Sequence, residues 1–186
     1  MRGWICFFVL CLAPGGAFAE DAAKAEKERR EIQKMENETL AKLYSVQPSA
    51  KGVIDGAAGY AVFSNFGMKI LVAGSGTGKG MAVNNKTKAA TYMRMAEIQA
   101  GLGFGVKKFK LVWVFDTEKA FNDFVNSGWE IGAQATASAK SGDKGASYQG
   151  AVSVSPGVWL YQLAGDSLAL ELTAKGTKYY KDSDLN

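Results

Sequence analysis

The stretch Met68–Asn85, MKILVAGSGTGKGMAVNN, decides how the fold is read, because its glycine-rich centre either cradles a phosphate or joins two strands. A nucleotide-binding P-loop needs a glycine, four residues, then Gly-Lys and a Ser or Thr, so that backbone N–H groups wrap the phosphates while the hydroxyl holds magnesium. Here Gly78-Lys79 is followed by Gly80, and the position five before Gly78 is Ala73. The dinucleotide pattern G-x-G-x-x-G fails as well, since Lys79 stands where the third glycine after Gly74 and Gly76 belongs. Phosphate loops open helices, whereas apolar MKILVA and GMAV flank these glycines with no helical pattern downstream. The stretch predicts a glycine-rich β-hairpin with Lys79 exposed at its tip, and no nucleotide as ligand.

Upstream, residues 20–46 are rich in Ala, Lys, Glu and Arg and lack Gly and Pro, which predicts one helix stopped by Pro48. Ile32, Met35, Leu40, Leu43 and Tyr44 form a narrow apolar stripe over its second half. The first half is charged nearly all round and is expected to project into solvent. Residues 47–186 form a β-rich domain, with short apolar runs separated by Gly, Asn, Ser and Lys. Strands are predicted at 59–66, 68–74, 80–85, 89–100 and 109–116. Further strands follow at 129–140, where alanines alternate with polar residues, and at 146–155, 157–165 and 167–174, with GTKYY closing the domain. Between them, DTEKAFNDFVNS predicts a short helix, with Asp116 or Thr117 as N-cap and Ala120, Phe121, Phe124 and Val125 on its inner face. The fold class is α+β: a mainly antiparallel, barrel-like or strongly curved β-sheet covered by an N-terminal helix and one short middle helix.

Residues 1–19 carry Arg2, an apolar run from Trp4 to Leu12 and the A-x-A signal Ala17-Phe18-Ala19, the pattern of a secretory signal peptide. The expected protein is exported, periplasmic or secreted, peripheral to a membrane and without a transmembrane helix after signal cleavage. Both cysteines, Cys6 and Cys11, lie in the signal, and the chain has no histidine. Thiol nucleophiles, Cys-based metal sites and the commonest general base are therefore absent, so no catalytic residue, metal or cofactor is expected. The formal charge of +4 becomes +3 once Arg2 leaves with the signal (4 − 1), a mild excess that suits an anionic surface better than a nucleic acid.

The order of AAGYAVFSNFGMKILVAGSGTGKGMAVNN, FGVKKFKLVWVF, FNDFVNSGWEIGAQA and LELTAKGTKYYKD resembles the SYLF-domain family, from about Leu40 to Asp182. The resemblance implies a noncatalytic lipid-binding module that uses an N-terminal amphipathic helix and the basic surface near it. Eukaryotic members bind phosphoinositide-containing membranes and contribute to actin patches, so actin enters here only by analogy. Bacterial members are exported and single-domain, the type this chain resembles. It departs from the family in its mixed-charge opening, 21–31, and in Val62-Phe63-Ser64, where many members show a VFP-like turn.

Lys107, Lys108 and Lys110 of VKKFK, with Arg94 and Lys79, are the candidates for contact with anionic headgroups. Lysines that guard a β edge against pairing are the competing explanation. Trp113, Trp129 and Trp159 sit in apolar strands and are expected to be core. Asp116 with Glu118 resembles an acid/base pair, yet capping a helix accounts for both. The expected function is binding of anionic phospholipid, phosphoinositide-like or phosphatidylglycerol; the alternative is a structural envelope protein that holds a protein partner through its charged N-terminal helix.

Overall fold

The computed structural model describes residues 16–70, 73–100, 105–127, 130–131, 148–165, 167–169 and 177–186. Helices α1 (Gly16–Val46) and α2 (Ser49–Gly56) precede strands β1 (Gly59–Ile70), β2 (Ala73–Asn84), β3 (Ala90–Ala100) and β4 (Gly105–Phe115). Then come α3 (Glu118–Asn126), β5 (Glu130–Ile131), β6 (Val152–Ser155), β7 (Val158–Ala164), β8 (Ser167–Ala169) and β9 (Thr177–Lys181). The strands pair antiparallel in one curled, half-barrel sheet ordered β5-β9-β3-β2-β1-β4-β7-β6, with β8 also on β7. The α+β class with an N-terminal and a short middle helix is the one predicted.

The glycine-rich stretch is not a hairpin tip. β1 runs unbroken to Ile70, which pairs with Ala73 at the start of β2, so AGSGTGKG is itself a strand and Lys79 lies in its middle, opposite Ser64. The strands predicted at 59–66 and 68–74 are thus one strand and the beginning of its neighbour. Glycines 74, 76, 78 and 80 fall on alternate positions, and side chains alternate between faces along a strand. From 74 to 80 one face of β2 is therefore bare, and Ala82 continues that face into the core. A Cβ on Gly80 would lie 2.1 Å from the Val62 carbonyl oxygen and 2.5 Å from the Phe63 ring; one on Gly78 would lie 2.5 Å from the Ser64 carbonyl oxygen. Large side chains of the neighbouring strands lie across this bare backbone, and the sheet curls tightly around them.

The concave face holds an aromatic core. Phe63 meets Tyr179 edge to face at 4.9 Å, and Tyr179 meets Trp113 at 5.4 Å. α3 closes the open side with Phe121, Phe124 and Val125, buried as predicted. Thr117 is its N-cap and accepts a hydrogen bond from the Ala120 N–H at 3.2 Å. Asp116 instead accepts from Tyr148 Oη at 2.5 Å and Trp159 Nε1 at 3.1 Å, a lock between the end of β4 and β7 rather than an acid/base pair.

The convex face is covered by α1 and α2, which bury Leu43, Ala50 and Ile54 against Val62, Val112, Val114 and Tyr161. Sequence patterning missed α2, because Pro48 reads as a stop and Gly52 and Gly56 are poor helix formers. Proline also suits a helix start, and Ala50 with Ile54 is an i,i+4 buried pair. In the described part of the predicted strand 146–155, from Tyr148 on, only Val152–Ser155 is extended, since Tyr148–Gly150 form a turn. The alternating segment 132–140, the turn 141–145 and Trp129 lie outside the described residues.

Two glycine replacements test this architecture in opposite directions. Gly80→Ala, which drives a methyl into backbone, should lower unfolding free energy by more than the ~1–3 kcal/mol typical of overpacking. Gly52→Ala, where nothing lies within 4 Å of the new Cβ, should raise it by about 0.5–1 kcal/mol. Urea denaturation of both measures the contrast.

Candidate functional site

Antiparallel pairing places directly opposed residues on one face, so register alone locates the candidate cations. Lys110 of β4 pairs with Ser64, Ser64 with Lys79, Lys79 with Arg94, and Arg94 with Tyr180. In the adjacent row Lys108 is linked through residue 66, Thr77 and Ala96 to Lys178, which the sequence reading did not single out. Both rows share the convex face with Val62, Val112 and Val114. From Lys110 to Arg94 is three strand spacings, about 14 Å. Lys107 pairs with Gly67 and stands one residue out of step with Lys108 and Lys110, so it is not part of these rows. β4, β2 and β3 are interior strands, which removes edge protection as the explanation of Lys79, Arg94, Lys108 and Lys110.

From Ala25 on, the first half of α1 lies against the sheet at the row of Lys79 instead of projecting into solvent, while residues 20–24 are exposed. Its docking stripe runs Ala25, Glu28, Ile32, Met35, Thr39 and Leu43, at steps of three and four. Counting apolar residues alone hid this stripe, because two of its members are polar. Glu28 lies against Lys79 at 2.5 Å, with the Glu28 side chain only 17% exposed. Ile32 is buried with Met81, Tyr92 and Leu185, and Arg29 Nε donates to the Leu185 carbonyl at 2.9 Å. Further along, Thr39 is buried and its hydroxyl donates back to the Met35 carbonyl at 2.6 Å, which satisfies it within the helix. Buried Glu36 accepts from Tyr60 Oη at 2.7 Å. Burial, then this hydrogen bond and the Glu36 charge, pushes the Tyr60 phenol well above its ordinary value. Burial likewise pushes Tyr44 up to about 12, with the charges of Asp55 and Glu36 adding to it.

Arg94 is the junction between the cation row and the C-terminal tail. Its Nε donates to Asp182 at 2.5 Å, and an η nitrogen reaches Asp184 at 3.6 Å. The hydrogen bond to Asp182 raises the guanidinium pKa further, and the Asp182, Glu28 and Asp184 charges add to it against burial. Asp182 is 3% exposed and also accepts from the Asp184 N–H at 3.1 Å. Asn186 completes the clasp, donating to the Tyr92 carbonyl at 2.8 Å and accepting from the Tyr92 N–H at 2.9 Å. The tail thereby holds Leu185 where α1 and β3 meet.

Between α1 and the sheet lies a cleft of about 510 Å³. Glu28, Glu31, Ile32 and Met35 form its roof, and Lys79, Arg94, Ser64, Thr77, Met95 and Tyr180 contribute to its floor and rim. Tyr180 is 38% exposed. No helix among the described residues is long and apolar enough to cross a membrane.

No family model matches this chain. Among curated proteins it is similar to Beta cell expansion factor A of Aeromonas veronii, 34% identical over 163 residues that cover 87% of this chain and 60% of that protein. The chain thus spans 60% of the length of the relative it matches.

The two aspartates on Arg94 should behave differently. Asp182→Ala removes a buried acceptor and should lower stability by ~2 kcal/mol, discounted from the full cost of a broken buried pair because Arg94 is partly exposed. Asp184→Ala, at a side chain 78% exposed, should leave the thermal midpoint where it is.

Proposed function

We propose that this chain is a noncatalytic, exported module that binds anionic phospholipid surfaces through the convex face of its sheet. The observation that carries the reading is the register: Lys110, Lys79 and Arg94 fall in one cross-strand row, and Lys108 and Lys178 in the next. Each Lys or Arg close to an anionic surface contributes about 1 kcal/mol, so gathered cations hold a peripheral protein while scattered ones do not. Cations on four of the five successive strands from β9 to β4 form a patch, and a patch suits many headgroups in a plane better than it suits one small substrate. Phosphatidylglycerol and phosphoinositide-like headgroups carry the complementary charge. The resemblance to the SYLF family supports the same reading from a different direction. The name of the Aeromonas veronii relative describes an effect on beta cells and names no chemistry, so the geometry bears the weight.

Binding of the chain without its signal, residues 20–186, to phosphatidylglycerol vesicles, followed by sedimentation, tests this reading. Affinity should fall steeply with salt, because surface attraction is screened over ~8 Å at physiological ionic strength. Lys108→Gln with Lys110→Gln should weaken it about thirtyfold, at about 1 kcal/mol per charge. Equal binding to phosphatidylcholine at high salt, or unchanged affinity in the double variant, would contradict the assignment.

A further inference from the structure

Lys79 and Arg94 already have partners, and those partners are of different kinds. Arg94 is tied to Asp182, a buried residue of the C-terminal clasp that is part of the folded core. Lys79 is tied to Glu28, which rides on α1. That Glu28 oxygen is sealed from solvent and touches the Lys79 ammonium, yet it accepts no well-aligned hydrogen bond. The Lys79 side chain is 54% exposed, so solvent partly screens this ion pair and a competing anion can reach the ammonium. Beside it the cleft is roomy enough for a ligand, in the range of small-molecule sites.

The groups around that cleft suit a phosphate with an apolar remainder. Lys79 carries three donors and Arg94 five, of which the Asp182 bond takes one. Ser64, Thr77 and Tyr180 bring hydroxyls to the same space, and Ile32 and Met35 bring apolar surface. With α1 in place, however, Glu28, Glu31, Asp182 and Asp184 surround these two cations, and an incoming anion is repelled. Removing Glu28 and Glu31 reverses that balance at Lys79. The two halves of α1 are also held unequally. The second half is anchored in the large convex-face cluster through Leu43, while the first half rests on Ile32, Arg29 and Glu28 over a small cluster.

We propose that the cleft under the first half of α1 is a phosphate site closed by the chain's own carboxylate. Glu28 occupies Lys79 at rest, and a phosphate-bearing ligand takes its place as the first half of α1 lifts from the sheet. The ligand is a phospholipid headgroup or a soluble phosphomonoester. The lipid source rests on the function proposed above; the site itself does not. Lifting also frees Ala25, Ile32 and Met35, an apolar stripe that can lie in a membrane interface.

Glu28→Gln and Lys79→Gln break the same ion pair, and each also changes the net charge by one, which alone shifts binding to an anionic surface in opposite directions. Glu38→Gln and Lys34→Gln, at exposed side chains of the same helix, are the charge-matched controls. If the pair only fastens the helix, both variants depart from their controls alike. The proposed site requires opposite departures: Glu28→Gln should tighten phosphatidylglycerol vesicle binding about fivefold beyond Glu38→Gln, and Lys79→Gln should weaken it about fivefold beyond Lys34→Gln. Calorimetry with glycerol 1-phosphate should give the same order, and thermal unfolding should show that both variants remain folded. Departures in the same direction, or none, overturn the site. Vesicle binding that responds to Lys108 and Lys110 but not to Glu28 also overturns it, and leaves the surface reading intact. Glycerol 1-phosphate binding by Glu28→Gln without vesicle binding by any variant keeps the site and removes the lipid reading.

Discussion

The structure depends on a steric constraint: over Gly78 and Gly80 the inner face of β2 must carry no side chain. Gly78 and Gly80 leave room for Met95 and Phe63 to lie against the backbone of the strand, which draws β1, β2 and β3 into a tight curl. The curl gathers Phe63, Trp113, Phe124 and Tyr179 into one aromatic cluster that α3 closes. Because side chains alternate along a strand, the same residues that clear the inner face put Thr77 and Lys79 on the outer one. Core and cation row are two consequences of one alternating pattern.

Charge compensation ties the remaining elements to that sheet. The C-terminal clasp neutralises Arg94 with a buried aspartate, and α1 neutralises Lys79 with a half-sealed glutamate. The first arrangement is fixed by further hydrogen bonds through Asn186; the second hangs on a helix whose other salt bridges near Glu28, such as Lys27–Glu31, are exposed and contribute little. This inequality separates the part of the surface built to stay covered from the part that a competing anion can uncover.

Much of the architecture was legible in the sequence. The β3, β4 and β7 runs are apolar and bounded by turn residues, and α3 announces itself through Thr117 and the spacing of Phe121 and Phe124. What was not legible failed for physical reasons. Glycine density suggests a turn, and only the two-residue period of Gly74 to Gly80 marks a strand that something packs against. α2 lacked the propensity signal because packing of Ala50 and Ile54 overrides two glycines. The candidate lysines were found by their density in VKKFK, but density cannot distinguish Lys107 from its neighbours; register does. Glu28 was invisible as a site residue because its importance comes from a strand 51 residues away (79 − 28).

The central claim is that α1 covers the cation row at rest and leaves it when a phosphate surface arrives. A distance measurement addresses it most directly. Spin labels on cysteines at Lys27, on the exposed side of α1, and Lys86, in the turn after β2, report helix against sheet in residues 20–186, where no native cysteine competes for the label. Pulsed electron paramagnetic resonance should give one short, narrow distance in solution and a longer or broader one on phosphatidylglycerol vesicles. An unchanged narrow distance in vesicle-bound protein would contradict the account.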